Sequence, residues 1–143
     1  STYSASVGVA WAWDWRTSLW GGEVTAQTEA YISHWSARHV TGGRHSLTQV
    51  GLVPVWRLRF DQGRSDWFVE AGIGVSVLDK QYQIPGKRFG TPFNFHDTVG
   101  VGRSFGPNRA SEVGLRLTHF SNAGIERPNP GENFLQLRYS RKF

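Results

Sequence analysis

An imidazole and a hydroxyl stand two residues apart at His119 and Ser121, within "EVGLRLTHFSNAGIERPNPGEN", residues 112–133. On an extended strand alternate residues share a face, which puts these two groups on one side and roughly 6.5–7 Å apart along the backbone. At that range the imidazole can take the serine proton, and a serine so activated attacks acyl carbonyls. Such chemistry needs two further parts, a group that holds the imidazole in the right tautomer and N–H donors for the oxyanion. Glu132 follows the loop after Ser121 and can return to His119 if the next strand pairs with this one. Asn122, Ala123 and Gly124 come directly after the serine, and their backbone N–H groups can line an oxyanion hole, with glycine supplying the unusual dihedrals. An H-x-S triplet alone is a weak signal, because histidine and serine are common at strand ends. Its setting decides.

That setting is apolar. Val113, Leu115 and Leu117 share the face of His119 and Ser121, whereas Glu112, Gly114, Arg116, Thr118 and Phe120 line the other. The same period-two pattern recurs along the chain, and no segment carries a persuasive helical period. In "TYSASVGVAWAWDW" the residues Tyr3, Ala5, Val7, Val9, Trp11, Trp13 and Trp15 oppose a row that is small or polar. "QVGLVPVWRLRF" and "WFVEAGIGVSV" alternate in the same way, and "EVTAQTEAYISHW", "FNFHDTVGVGRSF" and "NFLQLRYSRKF" follow less cleanly. The bulky residues lie on the apolar face and the small ones on the polar face. A narrow barrel must fit its own lumen, so this distribution places the polar face inside and the bulky apolar face in lipid. Glu29, Glu70 and Glu112 would then meet Arg57, Arg59, Arg116 and Arg138 inside as a paired, structural charge network.

Composition agrees with a membrane β-barrel. Only 38% of the 143 residues are hydrophobic, yet there are seven tryptophans, four tyrosines and nine phenylalanines, the mixture expected of a polar lumen with aromatic girdles. The chain is long enough for one domain, residues 1–143. It lacks cysteine and methionine, which removes disulfides and thiolate metal sites. No apolar run approaches the roughly 18–20 residues of a spanning helix. A net charge of +5 favours an anionic partner, whether nucleic acid, phospholipid or lipopolysaccharide. The aromatics sit at rims rather than on a basic platform, which argues against nucleic acid.

Connections orient the barrel. Short ones are expected at Arg16–Gly22, Asp61–Asp66 and Gly106–Ala110, and longer, more basic ones near His39–His45, Asp79–Thr91 and Asn122–Glu132. Bacterial barrels keep short turns periplasmic and long loops outside. Trp13, Trp15, Trp20, Trp56, Phe60, Trp67 and Phe105 fall beside the short turns, and the chain ends on alternating apolar residues and Phe143. His119 and Ser121 therefore reach the extracellular end facing outward. Seven strands are clear where eight are expected. Either a first strand is missing from this chain or residues 1–40 hold one more, and the former is preferred.

At "THFSNAG" and "RPNPGEN", supported by "WFVEAGIGV" and "FNFHDTVGVG", the sequence resembles the outer-membrane lipid A 3-O-deacylases, the PagL family. The resemblance spans nearly the whole chain. It implies an eight-stranded antiparallel up-and-down transmembrane β-barrel of the Gram-negative outer membrane. It also implies a Ser–His–Glu triad on the outer wall that cleaves the 3-O-linked 3-hydroxyacyl ester of lipid A, without a metal or cofactor. By position, Ser121 matches the nucleophile, His119 the base and Glu132 the orienting acid, while Asn122, Gly124 and Asn129 match the oxyanion hole and active-site loop. The spacing from Ser121 to Glu132 is one residue shorter than the family's, which keeps Glu126 as a second candidate acid. A homodimer is consistent with the family.

Other signals read more plainly. His34, His39, His45 and His96 lack metal-ligand spacing, and the adjacent His96 and Asp97 point to opposite faces. "GIGVSV" and "GVGRSF" complete no dinucleotide fingerprint. Arg38, Arg44, Lys80, Lys87, Arg88 and Arg127 are either a solvated loop surface or a set of contacts for lipid A phosphates. The alternatives to an esterase are a non-enzymatic OmpA/OmpX-like small barrel, a phospholipase-type barrel and a soluble ligand-binding barrel.

Overall fold

The structure, a computed structural model, describes residues 2–38, 42–79, 83–84, 87–88, 93–121 and 132–142. Seven long antiparallel strands form one sheet: β1 (Tyr3–Leu19), β2 (Gly22–Arg38), β3 (Arg44–Arg59), β4 (Trp67–Leu78), β7 (Phe93–Phe105), β8 (Ser111–Ser121) and β9 (Glu132–Arg141). Each pairs with the next in sequence, an up-and-down order. The long connection between β4 and β7 holds a two-rung hairpin, β5 (Gln83–Ile84) with β6 (Lys87–Arg88). These are the seven strands that the alternation outlines, and residues 3–38 form two of them. Among the described residues the sheet has no eighth strand.

Alternation decides the faces. β4 switches between exposed and buried at every residue from Trp67 to Leu78. The exposed set is apolar, with Ile73 at 65%, Leu135 at 74% and Leu137 at 79% exposure. The buried set includes Glu29, Arg57, Glu70 and Arg116, each below 10%. Charges inside and leucines outside are the inverse of a soluble barrel, and they match a wall solvated by lipid. The sheet curls far enough for side chains of non-adjacent strands to meet: Arg116 of β8 reaches Glu29 of β2, and Tyr31 of β2 bonds His96 of β7 at 2.7 Å.

A continuous ion-pair chain crosses that interior. Glu112 lies 2.7 Å from Arg57, Arg57 2.9 Å from Glu70, Glu70 2.7 Å from Arg116, and Arg116 2.6 Å from Glu29. Arg138 closes on Glu29 at 3.3 Å and on Glu70 at 3.8 Å. Three carboxylates thus balance three guanidiniums, as the sequence pattern leads one to expect. Arg59 differs. It reaches instead to the turn, donating to the carbonyls of Ser65 and Asp66 and to Ser104 Oγ. Its position near the end of β3 brings it closer to those carbonyls than to the network. Glycine makes room for the bulky inward residues: a Cβ at Gly51 would clash with the Tyr31 ring, and one at Gly102 with the Phe68 ring.

The turn at Arg16–Gly22 is shorter than expected. β1 continues to Leu19 through an irregularity between Ala12 and Arg16, and only Trp20 and Gly21 remain as the loop. Their φ values of 51° and 71° are those of a type I′ hairpin, whose twist matches the strands it joins. At the second short connection Arg64 donates to Asp61 at 2.9 Å, and this bond holds the Asp61 carboxyl below its ordinary range.

Replacing Arg116 by Met strips a partner from two buried carboxylates and should cost about 3–5 kcal/mol. The paired change Glu29→Leu with Arg116→Met keeps the interior neutral and should lose less than the single one. Denaturant unfolding of the refolded protein in vesicles measures both.

Candidate active site

β8 climbs from the short turn at Gly106–Ala110 to the loop end of the barrel and carries both candidate catalytic side chains near its top. Arg116, Thr118 and Phe120 point inward and are buried. Leu115, Leu117, His119 and Ser121 therefore point outward. The register sets their neighbours. His119 lies opposite Asp97 of β7 and Asn133 of β9, and Ser121 lies opposite Phe95. Below them Leu117 pairs with Leu135 and Leu115 with Leu137, two apolar rungs that lead down the wall into the lipid layer.

An aromatic cluster inside the same end holds this strand in place. Phe120, between His119 and Ser121, is 2% exposed and packs 5.3 Å from Trp35 and 5.8 Å from Phe134, measured between ring centroids. Trp35 and Phe134 are 4.9 Å apart, and Ala37, Leu47 and Leu78 complete the cluster. The inward grip of Phe120 keeps the residues on either side of it turned out. This cluster was not anticipated from the sequence, where Phe120 reads simply as a member of the polar face.

His119 Nδ1 lies 2.7 Å from Asn133 Oδ1. Because an amide oxygen only accepts, this contact calls for the ring proton on Nδ1, the tautomer whose Nε2 lone pair can accept a proton. Asn133 escaped the sequence reading, since it becomes His119's neighbour only through the β8–β9 register. Glu132 opens β9 opposite Phe120, and its Oε1 accepts the backbone N–H of Asn133 at 3.2 Å. Asn122, Gly124, Glu126 and Asn129 lie outside the described residues.

Of the loop cations weighed between a solvated surface and phosphate contacts, Arg44 donates to the Ser36 hydroxyl at 3.0 Å and the Ser36 carbonyl at 2.8 Å, and sits over the Tyr3 ring. Arg38 pairs with Arg44 across the β2–β3 ladder, and Lys87 and Arg88 form β6. Lys80 and Arg127 fall outside the described residues.

The family model for "Lipid A 3-O-deacylase (PagL)" matches residues 2–142. The chain belongs to the PagL family. It is 33% identical over 136 residues to the lipid A deacylase PagL of Pseudomonas aeruginosa, covering 93% of this chain and 74% of that protein. Identity to the lipid A deacylase PagL of Bordetella bronchiseptica is 34% over 122 residues, 85% of this chain and 65% of the relative. The crystal structure of the outer membrane enzyme PagL superposes with a TM-score of 0.79 at 27% identity, covering both chains completely. Membership in this family bears out the fold expected from the sequence.

Truncating Phe120 to Ala should empty the space beneath the outward pair and cost about 3–5 kcal/mol of stability. Deacylation by the folded fraction should fall with it, because the strand is then free to turn. Thermal loss of the compact band on cold electrophoresis, run beside an activity assay, tests both effects.

Proposed function

We propose that this outer-membrane barrel is a lipid A 3-O-deacylase, working as a serine esterase at the membrane surface. Family membership carries the substrate and the site of action. The mechanism is supported by one observation above all: His119 and Ser121 share the outward face directly above two leucine rungs, with the imidazole's Nδ1 already bonded. An acyl ester in the outer leaflet meets the pair laterally, its chain lying along Leu115, Leu117, Leu135 and Leu137.

In this reading Ser121 Oγ bonds to the ester carbonyl carbon as its proton passes to His119 Nε2. N–H groups following the serine, at Asn122 and Gly124, hold the oxyanion. Collapse breaks the bond to the glucosamine oxygen, which takes the proton back from His119. Water, deprotonated by the same imidazole, then releases the 3-hydroxy fatty acid and restores the serine. Glu132 supplies a carboxylate whose charge offsets the imidazolium. Arg38 and Arg44, paired at the same end of the barrel, draw the lipid A phosphates toward the wall.

Mass spectrometry of lipid A incubated with the refolded protein should show loss of one 3-hydroxyacyl chain. Ser121→Ala and His119→Ala should each slow that loss by about 10³-fold or more. Unchanged lipid A with the wild-type protein would favour an OmpA/OmpX-like barrel without catalysis. Fatty acid release from phospholipid vesicles at a matching rate would reassign the substrate.

A further inference from the structure

We infer that Asn133 is the positioning residue that fixes the tautomer of His119, so the base of this enzyme is steered by a neutral amide. The inference rests on His119 being the base. It concerns a residue to which neither the sequence motif nor the esterase reading assigns a role.

Three observations carry it. Asn133 is the first outward residue of β9, directly opposite His119 in the ladder, so the contact is held by backbone pairing. The Nδ1–Oδ1 distance of 2.7 Å is that of a well-formed hydrogen bond. The orientation matters chemically: were the amide reversed, its NH₂ would donate to Nδ1, and the proton would move to Nε2, where the ring could take nothing from a serine. The third observation is alternation. Phe134 is buried inside, so Asn133 belongs to the outer face, while Glu132, one residue earlier, is set to the face of Phe134 and Phe120.

The physical setting favours an amide. A neutral amide satisfied by one hydrogen bond bears little desolvation cost beside lipid. A carboxylate would stabilise the charged imidazolium and raise the pH below which the base is lost. The Cys–His–Asn enzymes show that an asparagine suffices to orient a catalytic imidazole. Among the described residues, the charged groups near His119 on the strands that flank it are Asp97 of β7 and Glu132 of β9, and its own strand offers Leu117 and Ser121.

The test uses the full chain refolded in detergent, with lipopolysaccharide as substrate and selective ¹⁵N labelling of histidine. Asn133→Ala and the near-isosteric Asn133→Leu, which preserves an apolar wall should the alanine variant fold poorly, are expected to lower kcat by about 10²-fold with KM within about twofold. Asn133→Asp should stay within about tenfold of wild type and move the acidic limb of the kcat/KM profile to higher pH, as a carboxylate raises the imidazole pKa. Asp97→Asn should remain within about tenfold of wild type, and Glu132→Gln, which removes the carboxylate that offsets the imidazolium, should lower kcat yet keep the Nδ1–H form of His119. The ¹⁵N pattern of His119 should show the Nδ1–H form in wild type and lose it in both apolar Asn133 variants. Wild-type turnover in those variants, or an unchanged tautomer, overturns the assignment, as does loss of the Nδ1–H form in Glu132→Gln or Asp97→Asn. Because the tautomer is read without turnover, it still decides the Asn133 contact if Ser121→Ala remains active and the esterase reading fails.

Discussion

The ion-pair chain through the lumen is the constraint on which the rest depends. Glu112, Arg57, Glu70, Arg116, Glu29 and Arg138 come from five strands, and every link among them except Arg57–Glu70 joins strands that are not neighbours in the sheet. Charges of this kind survive in a poorly solvated interior only when each has an opposite partner. Meeting that condition forces the sheet to curl, because a flat sheet would leave β2 and β8 far apart. Phe68 adds a face to the Arg57 guanidinium at 3.8 Å, so even the aromatic residues of the interior serve the charges.

Once Arg116 is committed inward, strand geometry leaves no freedom to its alternate neighbours. Leu115, Leu117, His119 and Ser121 must all face lipid. One strand thus supplies both the interior's central cation and the outer wall's proposed nucleophile and base. The aromatic cluster around Trp35, Phe120 and Phe134 repeats the arrangement one level higher, gripping β8 and β9 from within where their outer faces carry His119 and Asn133. The polar pair looks misplaced on a greasy face only when the lumen is ignored.

The sequence yields the faces and most of the network because both follow from a period of two and from counting charges. Val113 to Ser121 read correctly as an outward row, and Glu29, Glu70, Glu112, Arg57, Arg116 and Arg138 read correctly as mutual partners. Arg59 read wrongly, because alternation gives the side a residue faces and not its height in the barrel. Asn133 and Asp97 were not foreseen as neighbours of His119 for a related reason. Cross-strand neighbours depend on register, and register between β8 and β9 is set by a loop whose length in sequence says little about where the ladder resumes. The inward aromatic cluster was hidden because Trp35, Phe120 and Phe134 sit among polar residues in three separate strands. The irregularity in β1 was equally invisible, since it leaves the alternation of the tryptophans intact.

The leucine rungs beneath His119 have a kinetic meaning of their own. A site that faced upward would sample its substrate from the aqueous volume, but His119 and Ser121 face sideways into a sheet of lipid. What the enzyme experiences is then the mole fraction of substrate in a two-dimensional fluid, and inert amphiphile mixed into that fluid slows it even when the amount of substrate per litre is held constant. Encounter becomes a matter of lateral diffusion, and both products depart along the plane in which the reactant arrived.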